Sequence, residues 1–220
     1  MKLCVISDTH NRHRKLKIPP CDILIHCGDW TSMGYKHEVE EFAKWINKQD
    51  AGHIIVVPGN HELYFERFLP ESKKWFTDHC PTAHLLIDES IEIEGIKIHG
   101  SPATPWFCDW AWNRAGETIK KHWDAIPDNT NILITHGPPY SILDETTYAT
   151  GEPKPGYLGC PYLLTRVKEL KDLDLHFFGH IHSPGGRQKH SYGKSFYNCA
   201  VCDEIYFPSN PITVVEYEKM

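Results

Sequence analysis

The sequence predicts a mixed α/β fold built on two β-sheets. Three observations carry that reading. Short apolar runs of strand length alternate with an amphipathic helical stretch in the first half. Closely spaced short strands follow in the middle, in the manner of hairpins. Five apolar runs along the chain each stop at a cluster of Asp, Asn or His.

The first strands are expected at residues 3–7, 22–27 and 53–57. Each is apolar enough to be buried on both faces, as in a parallel sheet. Across residues 35–48, Val39, Phe42, Ala43 and Ile46 recur at helical spacing, which predicts a helix with one buried face. Residues 83–87, 90–94 and 96–99 read as a meander, with Glu94-Gly95 at a turn. A helix is expected at residues 116–123, a strand at 131–135, a helix at 162–170 and a strand at 175–178. Residues 195–201 and 212–217 close the series as strands. No linker or internal repeat divides the chain, so one domain over residues 1–220 is expected.

Composition narrows the functional classes. Hydrophobic residues are 40% and charged residues 24% of 220. That balance suits a folded globular chain rather than a disordered one. The formal net charge is −6, from 23 Lys plus Arg against 29 Asp plus Glu. An acidic balance disfavours long nucleic acid as a partner. No apolar run reaches signal-peptide or membrane-span length, so a cytoplasmic protein without a membrane contact is expected. The eight cysteines are then read as reduced. Cys199-Ala-Val-Cys202 has redox or zinc-knuckle spacing but no second pair, so core packing is the preferred reading. Histidine is abundant, at 15, and it is the commonest metal ligand.

The informative residues stand at the strand ends. The first strand runs into Asp8 and His10, the second into Gly28-Asp29, and the third into Gly59-Asn60-His61-Glu62. The fourth runs into His136, and the fifth into Gly179-His180-Ile181-His182. In open α/β sheets, ligands bind at the carboxyl ends of strands, so these side chains can converge. Carboxylate, amide and imidazole donors without thiolate suit Mn²⁺, Fe²⁺ or Zn²⁺. Asp8, His10, Asp29, Asn60, His136, His180 and His182 are too many donors for one four-coordinate zinc, and they fit two divalent ions sharing a carboxylate. Gly28, Gly59 and Gly179 leave room for close turns.

These five blocks, in this order, resemble the calcineurin-like metallophosphoesterases. The resemblance spans Asp8 to His182. It implies a four-layer αββα sandwich of two mixed sheets flanked by helices. It also implies a first ion held by Asp8, His10, Asp29 and His182, and a second by Asp29, Asn60, His136 and His180. Asp29 would bridge the two ions, and His61 would act beside the leaving group. Among the divalent ions, Mn²⁺ is favoured. A narrower resemblance is to the small metallophosphoesterase-domain-containing phosphodiesterases. It rests on Pro58-Gly59-Asn60-His61-Glu62, Gly100-Ser101-Pro102, Thr104-Pro105-Trp106-Phe107 and Thr135-His136-Gly137-Pro138-Pro139. It implies a hydrolase for small phosphodiesters or nucleotides, cyclic nucleotides among them, with Asp29 and His61 in the catalytic role. One mammalian type in that subgroup has glycine where this chain has His180.

Other residues complete the expectation. Asn60, His61, Trp106, Trp110, Trp112 and Arg114 are candidate substrate contacts, because aromatic faces can stack a nucleobase and a guanidinium can contact phosphate. The alternative for that aromatic run is a loop pinned to the core. Glu62 and His26 are candidates for orienting the ligands, and Glu62 equally suits a helix N-terminus. Residues 148–157 suit a lid or an oligomer contact. Competing readings are a phosphomonoesterase or protein phosphatase, a nuclease, and a catalytically lapsed metal-stabilised scaffold. Few arginines disfavour the phosphatase, and the intact blocks disfavour the scaffold. The oligomeric state is left open.

Overall fold

The computed structural model describes residues 1–149 and 152–219, with no side-chain description at 147–149 and 152–155. In chain order it contains β1 (Lys2–Ile6), a 3-10 turn at His13–Lys15, β2 (Cys21–His26), α1 (Lys36–Ile46), β3 (Ala51–Val56), α2 (Leu63–Arg67), α3 (Leu69–His79) and β4 (Ala83–Leu85). There follow β5 (Glu89–Ile93), β6 (Ile96–Ser101), β7 (Thr104–Pro105), β8 (Asn113–Arg114), α4 (Glu117–Asp124) and β9 (Ile132–Thr135). The chain ends with β10 (Glu145–Ala149), β11 (Glu152–Tyr157), α5 (Pro161–Glu169), β12 (Leu175–Phe178), β13 (Gln188–Ser191), β14 (Lys194–Asn198) and β15 (Thr213–Glu216).

Two large sheets form. The first has the order β15-β1-β2-β3-β4, with only β15 antiparallel to its neighbour. The second has the order β13-β14-β12-β9-β6-β5, in which the edge strands β13 and β5 are antiparallel. Alternation along each strand sends one set of side chains between the sheets. Leu3, Val5, Ile23, Ile25 and Ile55 meet Ile98, Ile132, Ile134 and Phe177 there. The opposite set faces helices. Cys4, Leu24 and Ile54 pack with Val39, Phe42 and Ile46 of α1 and Phe76 of α3. Leu133, Phe178 and Phe196 pack with Trp123 of α4 and Leu163 and Val167 of α5. The result is the αββα sandwich. Each large apolar side chain buried this way contributes about 1.5–3 kcal/mol.

Some elements differ from the sequence reading. Residues 83–87 are expected in a meander, but β4 adds to the edge of the first sheet beside β3, and only β5 and β6 make a hairpin. The pair α2–α3 has no counterpart in the sequence reading. Pro70 sits in the first turn of α3, where its missing N–H costs nothing. The expected strand at 195–201 ends at Asn198, and its continuation bridges to the first sheet through Ser7 and Ala200. Within residues 148–157, β10 and β11 pair antiparallel, while residues 150 and 151 lie outside the described set.

Candidate metal centre

The parallel strands of both sheets point their carboxyl ends at one place. β1 delivers Asp8 and His10, β2 delivers Asp29, and β3 delivers Asn60 and His61. β9 delivers His136, and β12 delivers His180 and His182. Each chain segment must turn immediately after its strand while keeping a polar side chain aimed inward. The backbone bears that demand: Asp8 (φ 54°), His10 (φ 40°), Asp29 (φ 55°) and His180 (φ 67°) all adopt left-handed conformations. Such conformations persist in non-glycine residues where surrounding structure enforces them, and they cluster at functional sites. A Cβ on Gly59 would strike the Asp29 carboxylate, and one on Gly179 would strike that of Asp8.

Among the described residues the side chains form three overlapping groups: His10, Asp29 and His61 make the middle one, between two that share no residue. In one, His182 Nε2 lies 3.3 Å from Asp8 Oδ1, and His10 Nε2 lies 3.9 Å from the same oxygen and 3.3 Å from His182 Nε2. In the other, His136 Nε2 lies 3.3 Å from Asp29 Oδ1 and 2.9 Å from Asn60 Oδ1, and His180 completes the set. Asp29 faces both: its Oδ2 is 3.8 Å from His10 Nε2. All seven sequence-selected donors therefore come together, and His61 joins them with Nε2 4.0 Å from Asp29 Oδ2.

The donor chemistry fits a divalent cation. Three imidazoles donate their Nδ1–H to backbone carbonyls: His61 to Ser32 at 2.8 Å, His136 to Cys27 at 2.9 Å and His182 to Asp203 at 2.9 Å. That fixes the tautomer and presents Nε2 to the site, as metal-ligating histidines do. Burial opposes ionisation of Asp8 and Asp29, yet the His182 and His136 partners hold both carboxyls below the usual carboxylate range. Burial pushes His10 down to about 4 and His180 down to about 3. Against its own burial, the charge of Asp29 raises His136 to about 9. Ionised buried carboxylates suit a divalent ion beside the His10 and His180 rings, which burial keeps neutral with a lone pair to offer. Its binding would displace the proton that Asp29 holds on His136.

Glu62 and His26 support the ligand turns. The fully buried Glu62 carboxylate accepts the N–H of Gly59 at 2.6 Å, of Asp29 at 3.0 Å and of Thr31 at 2.9 Å. It therefore ties the β2 and β3 turns together. It also stands at the start of α2, but its side chain makes no cap bond there. Burial, then the Asp29 charge, pushes its carboxyl up to about 8. His26 accepts from Gly28 N–H at 3.3 Å and contacts Thr9 Oγ1 at 3.0 Å, so it braces the β1 and β2 turns.

The aromatic run divides. Trp110 stacks on His61, with centroids 4.4 Å apart and planes at 27°. Trp106 is exposed and bonds Asp109 through Nε1 at 3.2 Å. Trp112 is buried, which is the pinned-loop arrangement rather than a presented face. Arg114 is paired with Glu66 at 2.8 Å, and Glu66 also accepts Trp112 N–H. Phe107, from the block that carries the narrower resemblance, lies 5.2 Å from His180. Two participants have no mark in the sequence: Tyr206, 4.7 Å from His10, and the Asp203 carbonyl on His182. No spacing pattern singles out either role, because both residues reach the site through a loop.

A family model described as calcineurin-like phosphoesterase matches residues 1–184. Human metallophosphoesterase domain-containing protein 1 is 33% identical over 96% of this chain and 69% of its own length. The chain belongs to the calcineurin-like phosphoesterase family. Calcineurin-like phosphoesterases are hydrolases of phosphoric esters that use divalent metal ions. Two solved structures share the fold at low identity. Phosphopantetheinyl hydrolase from Mycobacterium tuberculosis gives a TM-score of 0.57 at 15% identity, covering 93% of this chain and 90% of that one. The protein TT1561 of Thermus thermophilus gives 0.59 at 13%, covering 90% and 88%.

Proposed function

We propose that this chain is a binuclear metal-dependent phosphodiesterase acting on small phosphodiesters, with cyclic nucleotides among its substrates. The observation that carries the proposal is Asp29, whose two carboxylate oxygens face two separate groups of donors. Asp8, His10, Asp29 and His182 would hold one ion, and Asp29, Asn60, His136 and His180 the other, with Mn²⁺ favoured over Fe²⁺ or Zn²⁺. Such ions supply Lewis-acid charge to the phosphoryl oxygens and a nucleophile from water at neutral pH.

The protein's own residues do the rest. Asp29 accepts His61 N–H at 2.8 Å, which locks the catalytic loop to the metal-facing carboxylate. His61, held by Ser32 through Nδ1, turns Nε2 to the site. There it would either protonate the departing ester oxygen or stabilise charge on the phosphoryl group. Trp110 covers one imidazole face, fixing the ring and excluding water from it. Arg114, engaged with Glu66, is not free to clamp a dianionic phosphate, which supports diesters over monoesters. The net charge of −6 supports small substrates over long nucleic acid. Eight free cysteines support a reducing compartment, the cytoplasm. Among the described residues, no helix is long and apolar enough to cross a membrane.

The test is reconstitution. Metal-free protein would be supplied separately with Mn²⁺, Fe²⁺, Zn²⁺ or Mg²⁺ and offered a diester, a monoester and both 2′,3′- and 3′,5′-cyclic nucleotides, with Asp8→Ala and His61→Ala alongside. Diester turnover with about two ions bound per chain is the expected result. Full turnover by Asp8→Ala, or saturation at one ion, would sink the reading.

A further inference from the structure

Tyr206 lies outside every motif of the sequence, on the loop after β14, yet its ring reaches the site. Its centroid is 4.7 Å from that of His10, 5.5 Å from His182 and 6.2 Å from His61. The loop is built to hold it there. Asp203 accepts the N–H groups of Ile205 at 3.1 Å and Phe207 at 2.9 Å and the Ser209 hydroxyl at 2.9 Å, while its carbonyl takes Tyr206 N–H. The same carbonyl accepts His182 Nδ1–H. Tyr206 itself carries a left-handed backbone, with φ 61°. The turn tolerates that strain and aims the ring at the site.

The rings run in one chain of contacts: Trp110 to His61 at 4.4 Å, His61 to His10 at 4.6 Å and His10 to Tyr206 at 4.7 Å. Trp110 and Tyr206 are its two ends. The Tyr206 hydroxyl makes no hydrogen bond among the described residues, and the residue is 44% exposed. Its exposed hydroxyl is free to donate to solvent or to a ligand beside the ring.

We propose that Tyr206 is the residue that selects diesters, by contacting the ester arm that does not leave. This rests on the phosphodiesterase reading of the same centre. The leaving arm departs at His61, beside Trp110. The retained arm therefore extends past His10 and His182, where it meets the Tyr206 ring and hydroxyl. A monoester has no second arm and gains nothing from that contact.

The test uses manganese-loaded full-length protein with bis(p-nitrophenyl) phosphate and p-nitrophenyl phosphate. Tyr206→Phe and Tyr206→Ala are compared with the parent, with bound manganese and melting temperature measured for each. The ratio of kcat/KM for diester over monoester is expected to fall about fivefold in Tyr206→Phe, the size of one hydrogen bond. In Tyr206→Ala, which also loses the ring, it is expected to fall at least about tenfold, mostly through KM. An unchanged ratio would overturn the proposal while leaving the phosphodiesterase reading intact. So would an equal loss on both esters accompanied by loss of manganese, which marks a support role for His182. A parent protein that hydrolyses no diester overturns both.

Discussion

The Glu62 carboxylate accepts the backbone N–H of Asp29 at 3.0 Å, so the residue that faces both donor groups is positioned from behind by a second, fully buried acid. Glu62→Ala strands the N–H groups of Gly59, Asp29 and Thr31. Each buried donor left unpaired costs about 1–3 kcal/mol, so a loss of at least about 3 kcal/mol is expected in chemical denaturation. Glu62→Gln, which keeps the shape but turns a donor toward those donors, is expected to weaken metal affinity about 10–100-fold. Metal titration monitored by calorimetry checks this, and unaltered affinity in Glu62→Gln would remove Glu62 from the positioning role.

His61 is tied to Ser32 and stacked by Trp110, and it is outside the seven proposed ligands. His61→Ala is therefore expected to lower kcat about 10²–10⁴-fold, the usual contribution of a positioned acid. Bound metal should stay at the parent stoichiometry. Elemental analysis beside steady-state kinetics separates the two; loss of metal in this variant would make His61 a ligand instead.

Two glycines separate close approach from backbone strain. Gly59→Ala forces a Cβ onto the Asp29 backbone nitrogen at 2.5 Å and His136 Cε1 at 2.7 Å. It is expected to cost about 1–3 kcal/mol or more and to impair metal binding. Gly95 has nothing within 4 Å of an added Cβ, but its φ is +76°. Gly95→Ala is expected to cost only about 1–2 kcal/mol of conformational strain, with metal binding intact. Equal metal loss in both variants would refute the distinction.

Acid below the ordinary histidine range should destabilise the metal-free fold. Burial pushes His26 and His176 down to about 3, and His13 and His99 down to about 4, from an ordinary 6.5. Between those values the unfolded chain binds protons that the folded chain refuses. The stability tied to these four rings is therefore full above the ordinary histidine range and falls as pH drops toward 4, by up to about 1.4 kcal/mol per pH unit for each. Above that range the raised Glu62 and His136 act with the opposite sign, because the folded chain holds protons that the unfolded chain has released. Melting temperature of chelator-treated protein should decline from about pH 6.5 to 4.5. A rise over that window would contradict the burial of these rings.

Most of the site is legible because its chemistry sits at strand ends, and strand ends are where an apolar run visibly stops. Asp8, Asp29 and His136 each follow such a run closely. Glu62 is half legible: adjacency to His61 marks it, but its task depends on the distance between two turns that no local pattern encodes. Tyr206 and the Asp203 carbonyl are illegible, since they come from an irregular loop. The aromatic run reads as one surface in the sequence, and the fold splits it. Its residues divide between covering His61, as Trp110 does, and anchoring the loop, as buried Trp112 does. Among the fold elements, β4 misleads because its length and spacing suit either sheet. Pro70 hides α3 because a proline in a first helical turn looks, in sequence, the same as one that ends a helix.

The left-handed backbone at His180 has an evolutionary consequence. Its φ is 67°, and the residue that fits there without strain is glycine. The His180 N–H to Asp8, at 2.9 Å, comes from the main chain and survives any change of side chain. Replacing His180 by glycine thus deletes one proposed ligand while relaxing the polypeptide. A descendant can lose the proposed ligand at this position and keep its fold, so loss of the centre and loss of the structure are free to proceed on separate clocks.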